Sequence, residues 1–140
     1  MIRKQKGIAL LEALIACVIL AIGLIGAIGL QARAAAALAQ ADMRAEATIA
    51  SEKLLGMMSN DVSSDGNQLA YKKTETGSAP AVIAAWHAET IKAIPGALIS
   101  IGVTPMTGFK TYQVEIVIKW TRRAGEPENQ HRTVSYTATT

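Results

Sequence analysis

The longest hydrophobic pattern in the chain lies near its start. From residue 8 to residue 30, 19 of 23 positions are apolar, and the exceptions are Glu12, Gly23, Gly26 and Gly29. A helix over this stretch is roughly 34 Å long, enough to cross the hydrocarbon core of a bilayer. The pattern therefore predicts a transmembrane helix over residues 8–30.

The helical pattern continues to about Met58, because the first proline in the chain is Pro80. Over residues 31–58 the helix carries two apolar stripes. One stripe consists of Ala36, Ala39, Met43, Ala47, Ala50, Leu54 and Met57. The opposite stripe consists of Leu38, Ala41, Ala45 and Ile49. A helix that covers one globular domain needs a single stripe. Two stripes suggest one face for the chain's own sheet and one for other subunits; alanine-rich packing of a single core is the alternative.

Shorter patterns follow in the second half. Residues 59–79 are rich in Ser, Asn, Asp and Gly and are predicted to form a loop, and Pro80 and Pro95 bracket a short helix over about 80–93. Strict apolar alternation then predicts three strands. The inward-facing residues are predicted to be Ile99, Ile101 and Val103, then Tyr112, Val114, Ile116, Ile118 and Trp120, then Val134, Tyr136 and Ala138. The expected fold is α+β, with the long helix packed on a small antiparallel meander.

Charge is unevenly distributed. The chain has 14 basic and 11 acidic residues, and three of the basic ones, Arg3, Lys4 and Lys6, precede the apolar stretch. The basic excess therefore describes a short leader and gives no support to a nucleic-acid-binding surface. By the positive-inside rule, Met1 is expected in the cytoplasm and the rest of the chain across the membrane. The single cysteine, Cys17, excludes an intrachain disulfide framework and a cysteine-ligated metal site.

Glu12 is the informative residue of the apolar stretch. An acid near the centre of a transmembrane helix costs about 2.5–3.5 kcal/mol on insertion scales, less near the interface, so it is expected to have a partner. Cleavage after Gly7 would free an α-amino group on Ile8, a cation suited to that role. Two simpler hypotheses compete: a plain signal anchor, and a secretory signal cut after the A-x-A-like residues 37–39.

A basic leader, Gly7, four apolar residues and Glu12 precede the unbroken apolar helix, with the sequence KGIALLE over residues 6–12. This arrangement resembles the class III signal of type IV pilins and pseudopilins. The resemblance implies that prepilin peptidase cuts between Gly7 and Ile8 and N-methylates Ile8. It also implies that Glu12 neutralises the amino terminus of a neighbouring subunit during assembly. Ile8 departs from the phenylalanine that is commonest at its place.

The resemblance extends to the PilV-type minor pilins and is strongest over about the first sixty residues. It rests on the stretches ILAIGLIG (19–26), GLQ (29–31), RAEA (44–47) and SEKLLGMM (51–58), then more thinly on AW (85–86), IPG (94–96) and VIKW (117–120). It implies a pilin-like α+β fold and four segments: a leader (1–7), a transmembrane helix (8–30), the periplasmic half of the long helix (31–58) and a small globular domain (59–140).

By this resemblance the chain is a minor pilin that primes or modifies type IV pilus assembly. Its expected partners are other minor and major pilins, prepilin peptidase, the inner membrane and the inner-membrane assembly platform. It is expected to reside in the inner membrane with its domain in the periplasm and later in the pilus at the cell surface. The alternative is a minor pseudopilin of a type II secretion system, which has the same signal and architecture.

Catalytic and metal-binding chemistry is not indicated. His87 and His131 are isolated, and no nucleophile, zinc or phosphate-loop motif occurs, so we predict no enzyme and no cofactor. The alternative of a periplasmic enzyme on a signal anchor would need a set of catalytic residues of this kind. Residues 61–67 place oxygen ligands and a glycine as in the first half of a calcium loop, but Lys72 occupies the place of the bidentate glutamate. A plain polar loop is therefore expected.

Basic residues gather on the last predicted hairpin. They are Lys119, Arg122, Arg123, His131 and Arg132, with Trp120 among them. Such a cluster would suit a DNA-uptake pilin, because an aromatic ring among cations favours the binding of single-stranded nucleic acid. However, the alternation points Trp120 at the core, and Glu126 and Glu128 share the turn. We expect a solvated hairpin end and no nucleic-acid partner.

Overall fold

The structure is a computed structural model of the chain, and it describes residues 6–61, 68–107, 111–121, 125 and 127–138, with only the backbone for residues 6, 7 and 138. Most of the predicted leader, the core of the calcium-like loop, and Arg122 and Arg123 lie outside the described residues. The chain divides into two compact units, Met1–Ala41 and Asp42–Thr140.

The chain has an α+β fold of the pilin-like kind, as the sequence predicts. A long N-terminal helix is followed by a short helix and a three-stranded antiparallel sheet. The elements are α1 (Lys6–Asn60), 3-10 turns at Gln68–Tyr71 and Ala81–Ile83, α2 (Ala84–Ala93), β1 (Leu98–Pro105), β2 (Thr111–Trp120) and β3 (Asn129–Ala138). The predicted short helix over 80–93 corresponds to the second 3-10 turn and α2.

In the first unit, α1 is apolar around its whole circumference. All side chains from residue 8 to residue 35 are exposed, and the large apolar ones include Ile8, Leu11, Ile19 and Ile25. Within the described part of the chain, α1 is the helix that is long and apolar enough to cross a membrane. A helix that is hydrophobic on all sides requires apolar surroundings on all sides, either lipid or other helices.

In the second unit, α1 buries one stripe against the sheet. Its buried residues include Ala47, Ala50 and Leu54, as predicted, and the stripe ends on Met58 rather than on Met57, which is half-buried. The opposite stripe stays open to solvent, since Ile49 is 60% exposed. The helix therefore uses one of its two apolar faces for its own domain.

The sheet has the strand order β1-β2-β3 with both pairs antiparallel, which confirms the predicted meander. Alternate residues of β1 and β2 form the inner face, as predicted. The buried ones are Ile99, Ile101, Val103, Val114, Ile116, Ile118 and Trp120. These residues join Leu54 and Met58 of α1 and Trp86 of α2 in one hydrophobic core.

The predicted inner face of β3 is wrong. Val134 and Tyr136 are 41% and 60% exposed and lie on the outer face, which Ala138 shares by alternation. The register explains the inversion, because Thr133 pairs with Ile116 and directly opposed residues share a face. A strand's facing is fixed by its register with its neighbour, and in β3 that register turns the hydroxyl residues inward.

Candidate functional site

The candidate site is the start of α1. The backbone is helical from Lys6 through Gly7 to Ile8 and onward without a break. Glu12 lies four residues after Ile8, so the two share one face of the helix, one turn apart and about 6 Å along its axis. The structure thus presents an acid one turn beyond the peptide bond that the sequence predicts to be cut.

The surroundings of Glu12 are apolar and exposed. Large hydrocarbon side chains including Leu11 and Ile15 stand on the same part of the helix, open on all sides. Along the sequence, the next charged residue after Glu12 is Arg33, about 31 Å away along a continuous helix. The nearest cation before it is Lys6, on the leader side of Gly7. A cut after Gly7 therefore removes the near lysine and leaves the Ile8 amine as the nearest positive group.

Residues 2–28 match the family described as the prokaryotic N-terminal methylation motif. The match covers Gly7, Ile8 and Glu12 and nearly all of the predicted transmembrane helix. The motif indicates a pilin or pseudopilin-type protein. Proteins with this motif are structural, are processed by prepilin peptidase and assemble with other pilins, and the apolar helix anchors them in a membrane. No curated protein matches the chain, and no solved structure matches it.

In the described part of the last hairpin, Lys119 and Arg132 are paired with acids, and His131 Nε2 lies 2.9 Å from Thr133 Oγ1. The Nζ of Lys119 lies 3.0 Å from Glu75 Oε2 and 3.6 Å from Glu128 Oε1. The hydrogen bond to Glu75, with the charges of both acids, raises the pKa of the Lys119 ammonium. Arg132 pairs with Glu115 on the outer face. Trp120 is in the core, as predicted, so its ring offers no surface for stacking.

A buried lysine, which sequence reasoning missed, holds the segment after α1 on the sheet. Lys73 is only 5% exposed, and its Nζ donates to the carbonyl oxygens of Thr74 and Ile99, both at 3.0 Å. Its backbone also pairs with Ile101 at the edge of β1. Burial lowers the pKa of the Lys73 ammonium. A lone lysine in a polar loop gave no sequence signal for this role.

Two further titratable groups have shifted pKa values. The phenol of Tyr71 is buried and donates to Asp61 Oδ2 at 2.5 Å; burial and this bond raise the pKa of Tyr71 to about 12. Burial, and next the charge of Lys73, lower the pKa of His87. Among the described residues, no group of three or more His, Cys, Asp or Glu side chains is placed to hold a metal ion. Residues 62–67 of the calcium-like loop are outside them.

A shallow groove follows α1 and α2. Its floor is Trp86, whose Nε1 donates to the carbonyl oxygen of Ala50 at 2.9 Å. An ion pair between Lys53 and Glu89 crosses it, and Ile49 of the open stripe forms part of its wall. In this groove the exposed stripe of α1 lies beside apolar residues of α2.

Proposed function

We propose that this chain is a minor pilin of the PilV type, a structural component that primes or modifies type IV pilus assembly. One observation carries the proposal: the exposed apolar stretch of α1 over residues 8–30 contains a single acid, Glu12, five positions after Gly7. In a plain membrane anchor that acid has no function. In a subunit that moves from lipid into a bundle of like helices it has a function, because the acid can fix the register of the helix.

Processing is the first step of the proposed function. Prepilin peptidase cuts between Gly7 and Ile8 and N-methylates the new terminus. The backbone at Gly7 is helical in the structure, so the peptidase must unwind the start of α1 to reach the bond. Glycine lowers the free-energy cost of that unwinding, because it is the weakest helix former after proline. The cut separates a leader (1–7) from the mature subunit.

Glu12 acts in the second step. In a dry helical bundle an unpaired carboxylate is costly, and leaving one partner of a buried pair alone costs about 3–5 kcal/mol. After the cut, the nearest cation on any identical or related subunit is its amino terminus. We therefore propose that Glu12 neutralises the terminal amine of a neighbouring subunit and thereby sets the axial stagger between helices.

The proposed topology follows from the leader. Its three basic residues remain on the cytoplasmic side of the inner membrane, residues 8–30 span it, and residues 31–58 with the domain over 59–140 lie in the periplasm. Extraction by the assembly platform then moves the subunit into the pilus at the cell surface. Resemblance to PilV-type minor pilins over about the first sixty residues supports the minor role, and other minor and major pilins are the proposed partners.

The first test is the mass of the amino-terminal peptide of protein purified from its native membranes. We expect a chain that starts at N-methylated Ile8. Gly7→Val, which places a bulky side chain at the bond to be cut, should leave the leader attached. Gly23→Val is the matched control, because a Cβ at Gly23 meets nothing within 4 Å. A native chain starting near Gln40 or retaining Met1 would contradict the proposed processing.

The second test separates processing from assembly. Glu12→Ala should be cut normally but be nearly absent from sheared pili, while Glu52→Ala, at an exposed acid of the same helix, should be incorporated as the wild type is. Normal incorporation of Glu12→Ala would rule out the pairing. Recovery of the wild-type chain with secretion pseudopilins instead of pilins would assign it to a type II secretion system.

A further inference from the structure

One face of α1 stays exposed among the residues that the structure describes. In the second unit, Ala45 and Ile49 are exposed and lie on the side of the helix opposite the buried Leu54. In the first unit, Leu38 and Ala41 are exposed at helical spacing from them. Leu38 and Ile49 are 70% and 60% exposed. These four residues are the open stripe, and a row of exposed apolar side chains is typical of a surface that binds another protein.

Thr48, at the border of the open stripe, keeps its hydroxyl bonded within the helix. Its Oγ1 donates to the carbonyl oxygen of Arg44 at 2.9 Å, one turn earlier in α1. Burying this residue against a partner would therefore not leave its donor without an acceptor. The stripe and this border can be covered by an apolar surface at little cost in lost hydrogen bonds.

The charged residues beside the open stripe are sorted by sign. At 100° per residue, Asp42 and Glu46 lie about 60° and about 100° to one side of Ala45. Arg44 lies about 100° to the other side. Lys53 shares the first side, but it is paired with an acid of α2. One border of the stripe is thus acidic and the other is basic.

This sorting distinguishes a parallel from an antiparallel pair of α1 helices. When two copies meet about a two-fold axis that runs along the helices, the acidic border of each copy faces the basic border of the other. When the axis is perpendicular to the helices, each border faces its own counterpart, acid to acid and base to base. Charges at such flanking positions select the partner and the orientation in pairs of helices. The charge pattern of α1 therefore favours the parallel arrangement.

We propose that two copies of this chain pair in parallel through their open stripes, about a two-fold axis that runs between the two α1 helices and along them. The helices cross near Ala45, where small side chains allow a short distance between the axes. Leu38 and Ile49 of each copy supply most of the apolar area that the contact buries. Arg44 of each copy faces Glu46 of the other, so the pair contains two equivalent contacts between opposite charges.

Glu52 marks the end of the proposed contact. It is exposed and follows Ile49 near the same face of α1, so two copies of it would meet if the helices stayed in contact beyond Ile49. Packed helices commonly cross at about 50° with their axes about 8–10 Å apart. With the crossing point between Ala41 and Ala45, the axes are about 14–15 Å apart at Glu52. The two acids then remain in water, where salt screens their repulsion.

The parallel arrangement agrees with anchoring in one membrane. An axis along α1 keeps both copies pointing the same way, so both apolar stretches can enter the membrane from the same side. Chains anchored in this way meet at a high effective concentration, so a contact smaller than the ~1,000 Å² needed between free proteins suffices. The proposal requires only an anchored pilin or pseudopilin-type protein. It does not depend on the role in pilus assembly proposed above, nor on the contact proposed for Glu12.

Cysteine cross-linking of the full chain in its native membrane, after pili have been sheared off, tests the pairing. In a Cys17→Ala background, Ala45→Cys places two thiols across the two-fold axis. Helix axes about 8–10 Å apart bring these Cα atoms to about 4–6 Å, within disulfide range. We expect oxidation to give a cross-linked species of twice the chain mass. Ala39→Cys is the matched control, at an exposed alanine of α1 that lies about 120° around the helix from Ala45.

A charge exchange in the same membrane assay tests the register of the pair. Two differently tagged chains both carry Ala45→Cys, and the yield of the mixed dimer is measured. When both also carry Arg44→Glu, the yield should fall about tenfold, because an acid then faces Glu46 at both equivalent contacts. When both carry Glu46→Arg, it should fall in the same way. One chain with Arg44→Glu and one with Glu46→Arg should cross-link again, which a folding defect would not allow.

Each remaining outcome overturns the proposal. A yield of cross-linked dimer from Ala45→Cys no greater than that from Ala39→Cys shows that the open stripes do not meet. A cross-link from Ala45→Cys to a protein of different mass shows that another partner covers the stripe. An unchanged yield when both chains carry Arg44→Glu, or a mixed pair of charge variants that fails to cross-link, shows that Arg44 does not lie beside Glu46 of a second copy.

Discussion

One substitution made at two places tests the orientation of β3. Val114 of β2 is fully buried, whereas Val134 of β3 is 41% exposed on the outer face. Val114 lies in the central strand and Val134 in an edge strand, and the effect of a strand substitution follows from the packing and burial of the side chain at its position. The difference between the two variants therefore reports how much of each side chain is packed.

The magnitudes follow from the burial of each side chain. Removing two methyl groups from Val114 loses about 1.6 kcal/mol of transfer free energy, and the cavity left behind raises the cost to about 2–3 kcal/mol. At Val134 the buried share of the side chain limits the loss to about 1 kcal/mol, and no closed cavity forms. The free energies of unfolding of the two variants should thus differ by about 1.5 kcal/mol.

Urea unfolding of the full chain in detergent micelles, diluted until it is monomeric, measures this difference. Trp86 and Trp120 are both buried and report the loss of the core through their fluorescence. With the slope usual for small domains, Val114→Ala should unfold at a urea concentration about 0.5–1.5 M below that of Val134→Ala. Equal midpoints would refute the placement of Val134 on the outer face, and with it the register of β3.

Three further predictions concern Tyr71, His87 and Trp86. Asp61→Asn should lower the pKa of Tyr71 from about 12 towards its ordinary value of 10.0, as seen in the alkaline rise of phenolate absorbance; an unchanged titration would contradict the hydrogen bond. Because burial lowers the pKa of His87 below 6.5, the unfolded chain takes up this proton first, and stability should fall as the pH drops below 6.5. His87→Gln should flatten that part of the stability curve, and an unaltered slope would show that another group causes it. Trp86→Phe should cost about 1–2 kcal/mol in thermal unfolding, because it removes the bond to Ala50 and some packing; a neutral result would show that this bond does not hold α2.

The helices and the order of the strands could be predicted from the sequence because each has a strong local signal. No proline interrupts the helical pattern before Asn60, and Pro80 and Pro95 stand at the borders of the short helix. Alternation in β1 and β2 gave the inner face correctly, because both strands have enough apolar residues to fill it. In these elements local pattern and tertiary packing agree.

The orientation of β3 could not be predicted in this way. Its apolar residues alternate, but pairing with β2 turns Thr133 and Ser135 inward and Val134 outward. Periodicity shows that alternate residues share a face, and it does not show which face meets the core. Lys73 escaped prediction for a related reason. Two of its carbonyl acceptors, on Thr74 and Glu75, are next to it in the sequence, but the third, on Ile99, belongs to β1 and comes near only in the folded domain.

The residues of the candidate site could be predicted from the sequence because they lie close together along the chain. Gly7, Ile8 and Glu12 act through spacing along one helix, and the match over residues 2–28 rests on the same spacing. What these residues do in an assembly depends on a second chain. Spacing within one chain describes the cut and the methylated residue, whereas the pairing of Glu12 also needs the geometry of a neighbouring subunit.

The symmetry of the proposed Glu12 contact bears on how subunits depend on one another. A contact between the Glu12 of one subunit and the amino terminus of the next is head-to-tail, so it propagates along a filament and does not close on a pair. Each subunit then takes part in two such contacts, one through its own Glu12 and one through its own amino terminus. Glu12→Ala removes the first contact and leaves the second, whereas a chain that keeps its leader loses the second and leaves the first. Loss of either contact alone should lower incorporation into sheared pili, and full incorporation of an uncut chain would contradict the head-to-tail arrangement.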